Sequence, residues 1–126
     1  FICGCTHSAT EETVEKIKQI VRAQYMEQLS IQSIAEQVYL TPNYICMVFK
    51  QNAGRTINQY ITEVRIEMAK RQLEDPAVRL ADVGIMVGYT EPSYFSKIFK
   101  RYVALTPKEY RQMYISLKER QSAGKS

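Results

Sequence analysis

The feature that most constrains this 126-residue chain is an internal repeat with a spacing of 50 residues. Residues of the same type occur 50 positions apart in six pairs: Pro42 and Pro92, Tyr44 and Tyr94, Phe49 and Phe99, Lys50 and Lys100, Thr56 and Thr106, and Tyr60 and Tyr110. Upstream of residue 42 the spacing becomes 49, which pairs Ile34 with Val83 and Val38 with Val87. Self-similarity at a fixed spacing indicates a duplicated supersecondary unit, so the chain is predicted to contain one helical unit twice.

The second unit is predicted to be a helix, a turn and a second helix. Gly88 ends an apolar helical stretch and can adopt a positive φ, which favours a turn. Glu91 and Pro92 favour a new helix, because a carboxylate can accept hydrogen bonds from free N–H groups and Pro suits the first helical position. Helical spacing predicts two faces, with Phe95, Ile98, Phe99 and Tyr102 inward and Ser93, Ser96, Lys97 and Lys100 outward.

A small, polar and cationic outward face fits a groove lined with phosphates and base edges. Helix, turn and helix with such a face is the outline of a DNA-binding helix-turn-helix unit. The capping box from Thr106 to Glu109 predicts another helix after this pair, ending near Met113. The first helix of the unit is predicted from Leu80 to Val87, with a core face of Val83, Met86 and Val87.

The first unit repeats this outline. Ser30 is predicted to cap a helix at Ile31–Val38, with Ile34, Ala35 and Val38 inward. After a turn at Tyr39 and Leu40, Thr41 is predicted to cap a helix from Pro42 to the residue before Gly54. Its inward residues are Ile45, Val48 and Phe49, and its outward residues are Asn43, Cys46, Met47 and Lys50. Partial burial of Cys46 and Met47 against a neighbouring helix is the alternative to an outward position.

Between the units, the capping box Thr56–Gln59 predicts the longest helix, which runs to about Leu73 and would be roughly 27 Å long. Its apolar stripe is Ile57, Tyr60, Ile61, Val64, Met68 and Leu73. Pro76 follows its end. Such a helix is expected to hold the two units at a fixed separation.

The ends of the chain are expected to lie outside these units. Residues 1–9 are interpreted as an N-terminal extension, and Thr10 is predicted to cap a packing helix that runs to about Gln28. The predicted divisions are 10–54 for the first unit, 56–75 for the linker helix, 79–113 for the second unit and 114–126 for a basic, disordered tail. Because the first residue is Phe, the sequence is expected to be a piece of a longer protein.

The formal net charge of +4 is unevenly distributed. Residues 1–90 hold nine Lys/Arg and ten Asp/Glu, whereas residues 91–126 hold eight Lys/Arg and three Asp/Glu. The cationic excess begins at the second outward-facing helix, which supports a polyanionic partner. A solvated surface with a basic tail is the alternative.

Other classes of function find little support in the sequence. No apolar run is as long as the roughly 18 residues of a membrane span. Cys3, Cys5 and His7 alternate without a fourth ligand or normal zinc spacing, so no metal, cofactor or catalytic residue is predicted, and the chain is not expected to be an enzyme. An odd count of three cysteines indicates reduced thiols and a cytoplasmic location.

The stretches IAEQVYLTPNYICMVFKQNAG and VGYTEPSYFSKIFKRYVALTPKEYR, with a long helix between them, resemble the DNA-binding domain of AraC/XylS transcriptional regulators, and most of all the YesN-like response regulators of Gram-positive bacteria. The resemblance covers about residues 11–113. It implies an all-α fold of about seven helices in two helix-turn-helix subdomains joined by a long linker helix. It also implies that each subdomain places one recognition helix in the major groove of double-stranded DNA.

Carried over to this sequence, the resemblance implies a DNA-binding set of Thr41, Asn43, Cys46, Met47, Lys50, Pro92, Ser93, Ser96, Lys97, Lys100 and Arg101. The chain departs from the family pattern at Ala104, where glycine is usual, and at Gly84, where alanine is common. It also departs at Cys46 and Met47, which replace residues that are often polar or basic. These two leave apolar contact with thymine methyl groups as an alternative to hydrogen-bonded recognition.

Two binding partners are expected, double-stranded DNA and RNA polymerase. Double-stranded DNA should be bound by a monomer of this fragment, with any dimerisation arising in the full-length protein. RNA polymerase is expected as a second partner by analogy with the family. The competing hypothesis is a helical protein–protein interaction module, which does not account for two cationic helix faces at a 50-residue repeat.

Overall fold

The computed structural model describes the backbone of residues 2–125 and the side chains of residues 10–121. Over this range the chain forms α-helices and no strands, which confirms the predicted all-α class of seven helices. The helices are α1 (Ile2–Gln24), α2 (Ile31–Val38), α3 (Pro42–Ala53), α4 (Ile57–Leu73), α5 (Leu80–Met86), α6 (Pro92–Val103) and α7 (Pro107–Lys125). None of the helices in the described part has both the length and the apolar character needed to cross a bilayer.

The helices group into two compact units, residues 1–64 and residues 65–126. The division falls within α4. Its first half therefore belongs to the first unit with α1, α2 and α3, and its second half belongs to the second unit with α5, α6 and α7.

In the first unit, short-range hydrogen bonds determine where the helices begin and end. The Ser30 hydroxyl accepts a hydrogen bond from the backbone N–H of Ser33 at 3.0 Å, and the Ser33 hydroxyl accepts one from the backbone N–H of Ser30 at 3.2 Å, which confirms the predicted cap of α2. The helix ends at Tyr39, which adopts the left-handed conformation at φ 59°. The side chain of Thr41 then accepts a hydrogen bond from the N–H of Tyr44 at 3.2 Å and caps α3, as predicted.

The core of the first unit is apolar and draws on all of its helices. The Phe49 ring of α3 is buried and meets the ring of Tyr60 edge-on, with the centroids 5.6 Å apart. Burial of apolar side chains on this scale is the main favourable contribution to folding. The other buried core residues of this unit are Val14, Ile17, Val21, Ile34, Ala35, Ile45, Val48, Ile57, Ile61 and Val64.

The core of the second unit contains a row of aromatic rings beside the buried aliphatic residues Ile66, Ala69, Leu73, Val83 and Val87. Phe95 lies 5.8 Å from Tyr89 and 5.7 Å from Phe99, and Phe99 lies 5.8 Å from Tyr110, between ring centroids. Phe95 and Phe99 are buried on the inward face of α6, as their helical spacing predicts. The row therefore fixes α6 against the turn that follows α5 and against the first turn of α7.

Arg111, near the N-terminal end of α7, contacts the C-terminal end of α4 and the loop between α4 and α5. The Arg111 guanidinium donates to the carbonyl of Leu73 at 2.9 Å, of Asp75 at 3.1 Å and of Val78 at 2.6 Å. Carbonyls at a helix end and in the loop after it have no helical partner, so this group satisfies them. Thr106 and Glu109 form the predicted capping box, and the hydrogen bond from the Thr106 backbone lowers the pKa of Glu109.

Both ends of the chain are more helical than the sequence predicted. Helix α1 begins at Ile2, so Thr10 lies inside it and is not its cap, and the helix ends at Gln24. No proline interrupts the stretch before Thr10. Helix α7 continues to Lys125, whereas the prediction ended it near Met113 and treated the rest as disordered. Ala, Leu, Lys, Glu, Arg and Gln, which are all good helix formers, make up seven of the twelve residues 114–125 and permit the extension.

Several predicted side-chain roles are wrong. Glu91 is the N-cap of α6, but its side chain makes no capping hydrogen bond, because the cap position favours the shorter Ser, Thr, Asp and Asn. Met86 and Tyr102, predicted as core residues, are 39% and 44% exposed. In α4 the buried residues include Ile66 and Ala69, which the predicted stripe omitted, whereas Met68 is only half-buried.

Candidate nucleic-acid interface

Helix α3 presents the outward face predicted for the first unit, with one exception. Asn43, Met47 and Lys50 are exposed, whereas Cys46 is half-buried. This partial burial is the alternative that the apolar character of Cys46 left open. Thr41, also in the predicted set, is exposed, but its hydroxyl is used to cap α3.

Helix α6 presents a more polar face. All the predicted residues of the second unit are exposed, namely Pro92, Ser93, Ser96, Lys97, Lys100 and Arg101. The inward face anchors them, because Phe95 and Phe99 alternate with them along the helix and are buried. Exposed cations on a helix that is fixed from behind provide positive charge at defined positions.

The two helices share one backbone frame. Each has 12 residues, begins with Pro and ends at a residue in the left-handed conformation. The N–H of Gly54, at φ 77°, donates to the carbonyl of Lys50 at 3.0 Å, and the N–H of Ala104, at φ 69°, donates to that of Lys100 at 2.8 Å. Positions at the 50-residue spacing therefore occupy equivalent places in the two units.

Exposed tyrosines that were not predicted as site residues lie beside both outward faces. Tyr44 and Tyr94 are equivalent, and both are exposed. The ring of Tyr94 lies 5.7 Å from that of Tyr89, between centroids. In the turn before α3, Tyr39 is 92% exposed. The repeat itself marked Tyr44 and Tyr94, but no pattern in the sequence indicated that their rings remain in solvent.

The described residues contain no group of three or more His, Cys, Asp or Glu side chains placed to hold a metal ion. Cys3, Cys5 and His7, where no metal site is predicted, lie outside the described side chains.

Comparison with known proteins identifies the family. The family described as helix-turn-helix domain matches residues 34–113, which include α3, α4, α5 and α6 and part of α2 and α7. The chain belongs to the AraC-type helix-turn-helix family. Helices α3 and α6 of this AraC-type chain both lie within the matched region.

Individual relatives agree with this assignment. The chain is 30% identical to the Msm operon regulatory protein of Streptococcus mutans over 107 residues, which cover 85% of this chain and 38% of that protein. It is 31% identical to the C-terminal domain of the two-component response regulator yesN from Fusobacterium nucleatum, with a TM-score of 0.73, covering 77% of this chain and 95% of that one.

A third similarity concerns the fold alone. The DNA-binding domain of AdpA, a global transcriptional factor solved in complex with a target DNA, is 20% identical, with a TM-score of 0.79. The matched part covers 84% of this chain and 96% of that domain. The AraC-type chain thus spans nearly all of such isolated domains, but well under half of the Msm operon regulatory protein.

Proposed function

We propose that this chain is the DNA-binding part of a transcriptional regulator and binds double-stranded DNA in a sequence-specific manner. The observation that carries the proposal is the repeated frame: α3 and α6 begin and end alike, and both present exposed side chains suited to a major groove. An α-helix fits this groove, and helix-turn-helix proteins place their second helix there. Membership in the AraC-type family supports the same function.

The cations would set affinity and register. Lys50, Lys97, Lys100 and Arg101 are exposed on or beside the outward faces and can neutralise phosphates. The N-termini of α3 and α6 add partial positive charge where a phosphate could approach. These contacts do not distinguish one sequence from another, so they would position the chain along the duplex.

Sequence discrimination would come from fewer residues. In α6, Ser93, Ser96 and Lys97 are exposed and can donate hydrogen bonds to base edges. In α3, Asn43 is the outward residue able to make a bidentate contact, which suits adenine N6 and N7. Because α6 offers more donors, we expect stronger discrimination at the half-site bound by α6 than at the one bound by α3.

The two recognition helices belong to one chain, and α4 is continuous between them from Ile57 to Leu73. We propose that one chain binds two successive major-groove segments about one helical turn, roughly 10 base pairs, apart. The site should be asymmetric, because the outward residues of α3 and α6 differ.

The proposal also covers the full-length protein to which this chain would belong. Since the chain spans 38% of the Msm operon regulatory protein, further segments would carry signal input, and a response-regulator arrangement is suggested by the similarity to yesN. Contact with RNA polymerase, a cytoplasmic location and dimerisation through such segments are proposed on the same basis. No enzymatic role is proposed for the residues of this chain.

The test is selection of bound duplexes from a random pool, followed by affinity measurements on the selected site. An asymmetric site bound by one chain is expected. Asn43→Ala should relax the preference at one position, with a cost of about 1–3 kcal/mol on the preferred base and little on others. Gln19→Ala, which removes an exposed amide from α1, is the control and should change nothing. A pool with no preferred sequence after selection contradicts the proposal.

A further inference from the structure

Equivalent positions of α3 and α6 carry different chemistry at the centre of the outward face. Cys46 corresponds to Ser96, and Met47 corresponds to Lys97. The flanking positions are polar in both helices, with Asn43 and Lys50 in α3. The same backbone frame therefore presents an apolar centre in the first unit and a hydrogen-bonding centre in the second.

The apolar centre of α3 is accessible. Met47 is 50% exposed, and Tyr44, three residues earlier on the same helix, is 40% exposed. With the half-buried Cys46 they form an apolar patch between Asn43 and Lys50. Because the Met47 thioether remains exposed after folding, its apolar area can add to the free energy of binding when a ligand covers the patch.

The major groove offers one apolar group, the C5-methyl group of thymine. Methionine donates no hydrogen bond and is only a weak acceptor, so it cannot match the polar edges of the other bases. Asn43, one turn before Met47, suits adenine, whose partner base is thymine. The two residues are therefore compatible with one A·T-containing half-site.

We propose that α3 recognises thymine through its C5-methyl group, with Met47 as the contacting residue and Cys46 completing the apolar surface. This inference rests on the proposed DNA-binding function and specifies the chemistry of the first half-site. Helix α6, with Ser96 and Lys97 at the same positions, recognises hydrogen-bonding edges instead.

Replacement of thymine by deoxyuridine tests the proposal, because it removes the methyl group and leaves every hydrogen-bonding edge in place. Each thymine of the selected duplex is replaced in turn, and the affinity of the intact chain is measured. At one or two positions of the half-site bound by α3, the affinity should fall about threefold to fourfold for each methyl group lost. Asn43→Ala identifies which half-site this is, since its effect falls there.

Protein variants assign the contact. Met47→Ala should bind the thymine and deoxyuridine duplexes equally, because the group that contacts the methyl is gone. Met47→Lys, which introduces the residue of the equivalent α6 position, should also lose the distinction and gain preference for guanine. Met113→Ala, which removes an exposed methionine from α7, is the matched control and should keep the wild-type ratio.

The outcomes separate this inference from the function on which it rests. Specific binding that is indifferent to deoxyuridine at every position overturns the methyl proposal and leaves the proposed function standing. A ratio that persists in both Met47 variants shows that another residue contacts the methyl and overturns the role of Met47. Selection that yields no preferred duplex overturns both proposals.

Discussion

A Cβ atom placed on Gly84 would lie 3.0 Å from both Cβ and Cγ of Phe95. Gly84 is buried in α5 and Phe95 is 2% exposed in α6, between the rings of Tyr89 and Phe99. The ring has little room to yield, so α5 and α6 are packed at a distance that glycine permits. The equivalent residues of the first unit are Ala35 and Ile45, both buried.

We expect Gly84→Ala to destabilise the second unit by about 1 kcal/mol, because overpacking costs about 1–3 kcal/mol and the gain in helix propensity is about 1 kcal/mol. The reverse change at the equivalent position, Ala35→Gly, should also destabilise, by about 1–2 kcal/mol, through a lost methyl and a helix-interior glycine. Urea denaturation of both variants measures these free energies of unfolding. Stabilisation by Gly84→Ala would show that α5 and α6 can separate without cost.

The equivalent C-cap residues of α3 and α6, Gly54 and Ala104, allow a second pair of opposite substitutions. Ala104 adopts φ 69°, a conformation that costs a non-glycine residue about 1–2 kcal/mol, whereas Gly54 adopts φ 77° without this cost. Ala104→Gly should therefore stabilise the chain by about 0.5–1 kcal/mol after the entropy of the unfolded glycine is subtracted. Gly54→Ala should destabilise by about 1 kcal/mol through the backbone alone, since no atom lies within 4 Å of the added Cβ. Thermal unfolding checks both, and shifts of the same sign would contradict this account.

Tyr110 predicts a dependence of stability on alkaline pH. Burial, and then the hydrogen bond of 3.0 Å to Glu74, raise the pKa of Tyr110 to about 12 from its ordinary value of 10.0. Because the folded-state pKa is the higher one, this stabilisation is complete below pH 10 and is lost as the pH rises towards about 12. The Tyr110→Phe variant should lose about 1 kcal/mol at neutral pH and lack this part of the alkaline loss.

The measurement is the free energy of unfolding of wild type and variant across that pH range. Glu74→Gln is the control, because it keeps an oxygen acceptor for the Tyr110 hydroxyl but removes the charge. It should reduce the alkaline loss without abolishing the hydrogen bond. Parallel pH profiles for wild type and Tyr110→Phe would rule out a contribution from this phenol.

The proposed phosphate contacts predict a salt dependence. Binding to duplex DNA should weaken linearly on a log–log plot, with a slope of roughly −0.9 for each phosphate neutralised. Lys100→Ala should reduce the slope by about 0.9 and weaken selected and unrelated duplexes alike. Fluorescence anisotropy at several salt concentrations measures this. Lys16→Ala, an exposed lysine of α1, is the matched control, and affinity indifferent to salt would argue against DNA binding.

If α4 couples the two units in DNA binding, specific binding at one half-site should depend on binding at the other. Arg65→Pro should interrupt α4 and reduce specific binding sharply while non-specific binding survives, because each unit keeps its own capped helices. Arg65 also lies over the Tyr89 ring at 5.1 Å, so Arg65→Ala is needed to separate loss of that contact from the helix break. Circular dichroism should show most of the helix retained. Specific binding that requires a palindrome and two chains would mean that the units do not bind DNA together.

The sequence by itself determined where helices α2 to α7 begin and how most of them are capped. The caps at Ser30, Thr41, Thr56 and Thr106 and the prolines that begin α3 and α6 were predictable, because these interactions join residues within one helical turn. The 50-residue repeat predicted equivalent helices in both units. Helical spacing, which is also a local property, correctly placed Phe49 and Phe99 on the inward faces.

Tertiary structure decided what depends on residues distant along the chain. Met86 and Tyr102 fit an apolar pattern but are only partly covered by their neighbours, and Cys46 is half-buried within an otherwise exposed face. The three carbonyls bound by Arg111 and the approach of Gly84 to Phe95 involve partners that no local pattern specifies. Periodicity shows which face of a helix is apolar, whereas burial depends on how much of that face the neighbouring helices cover.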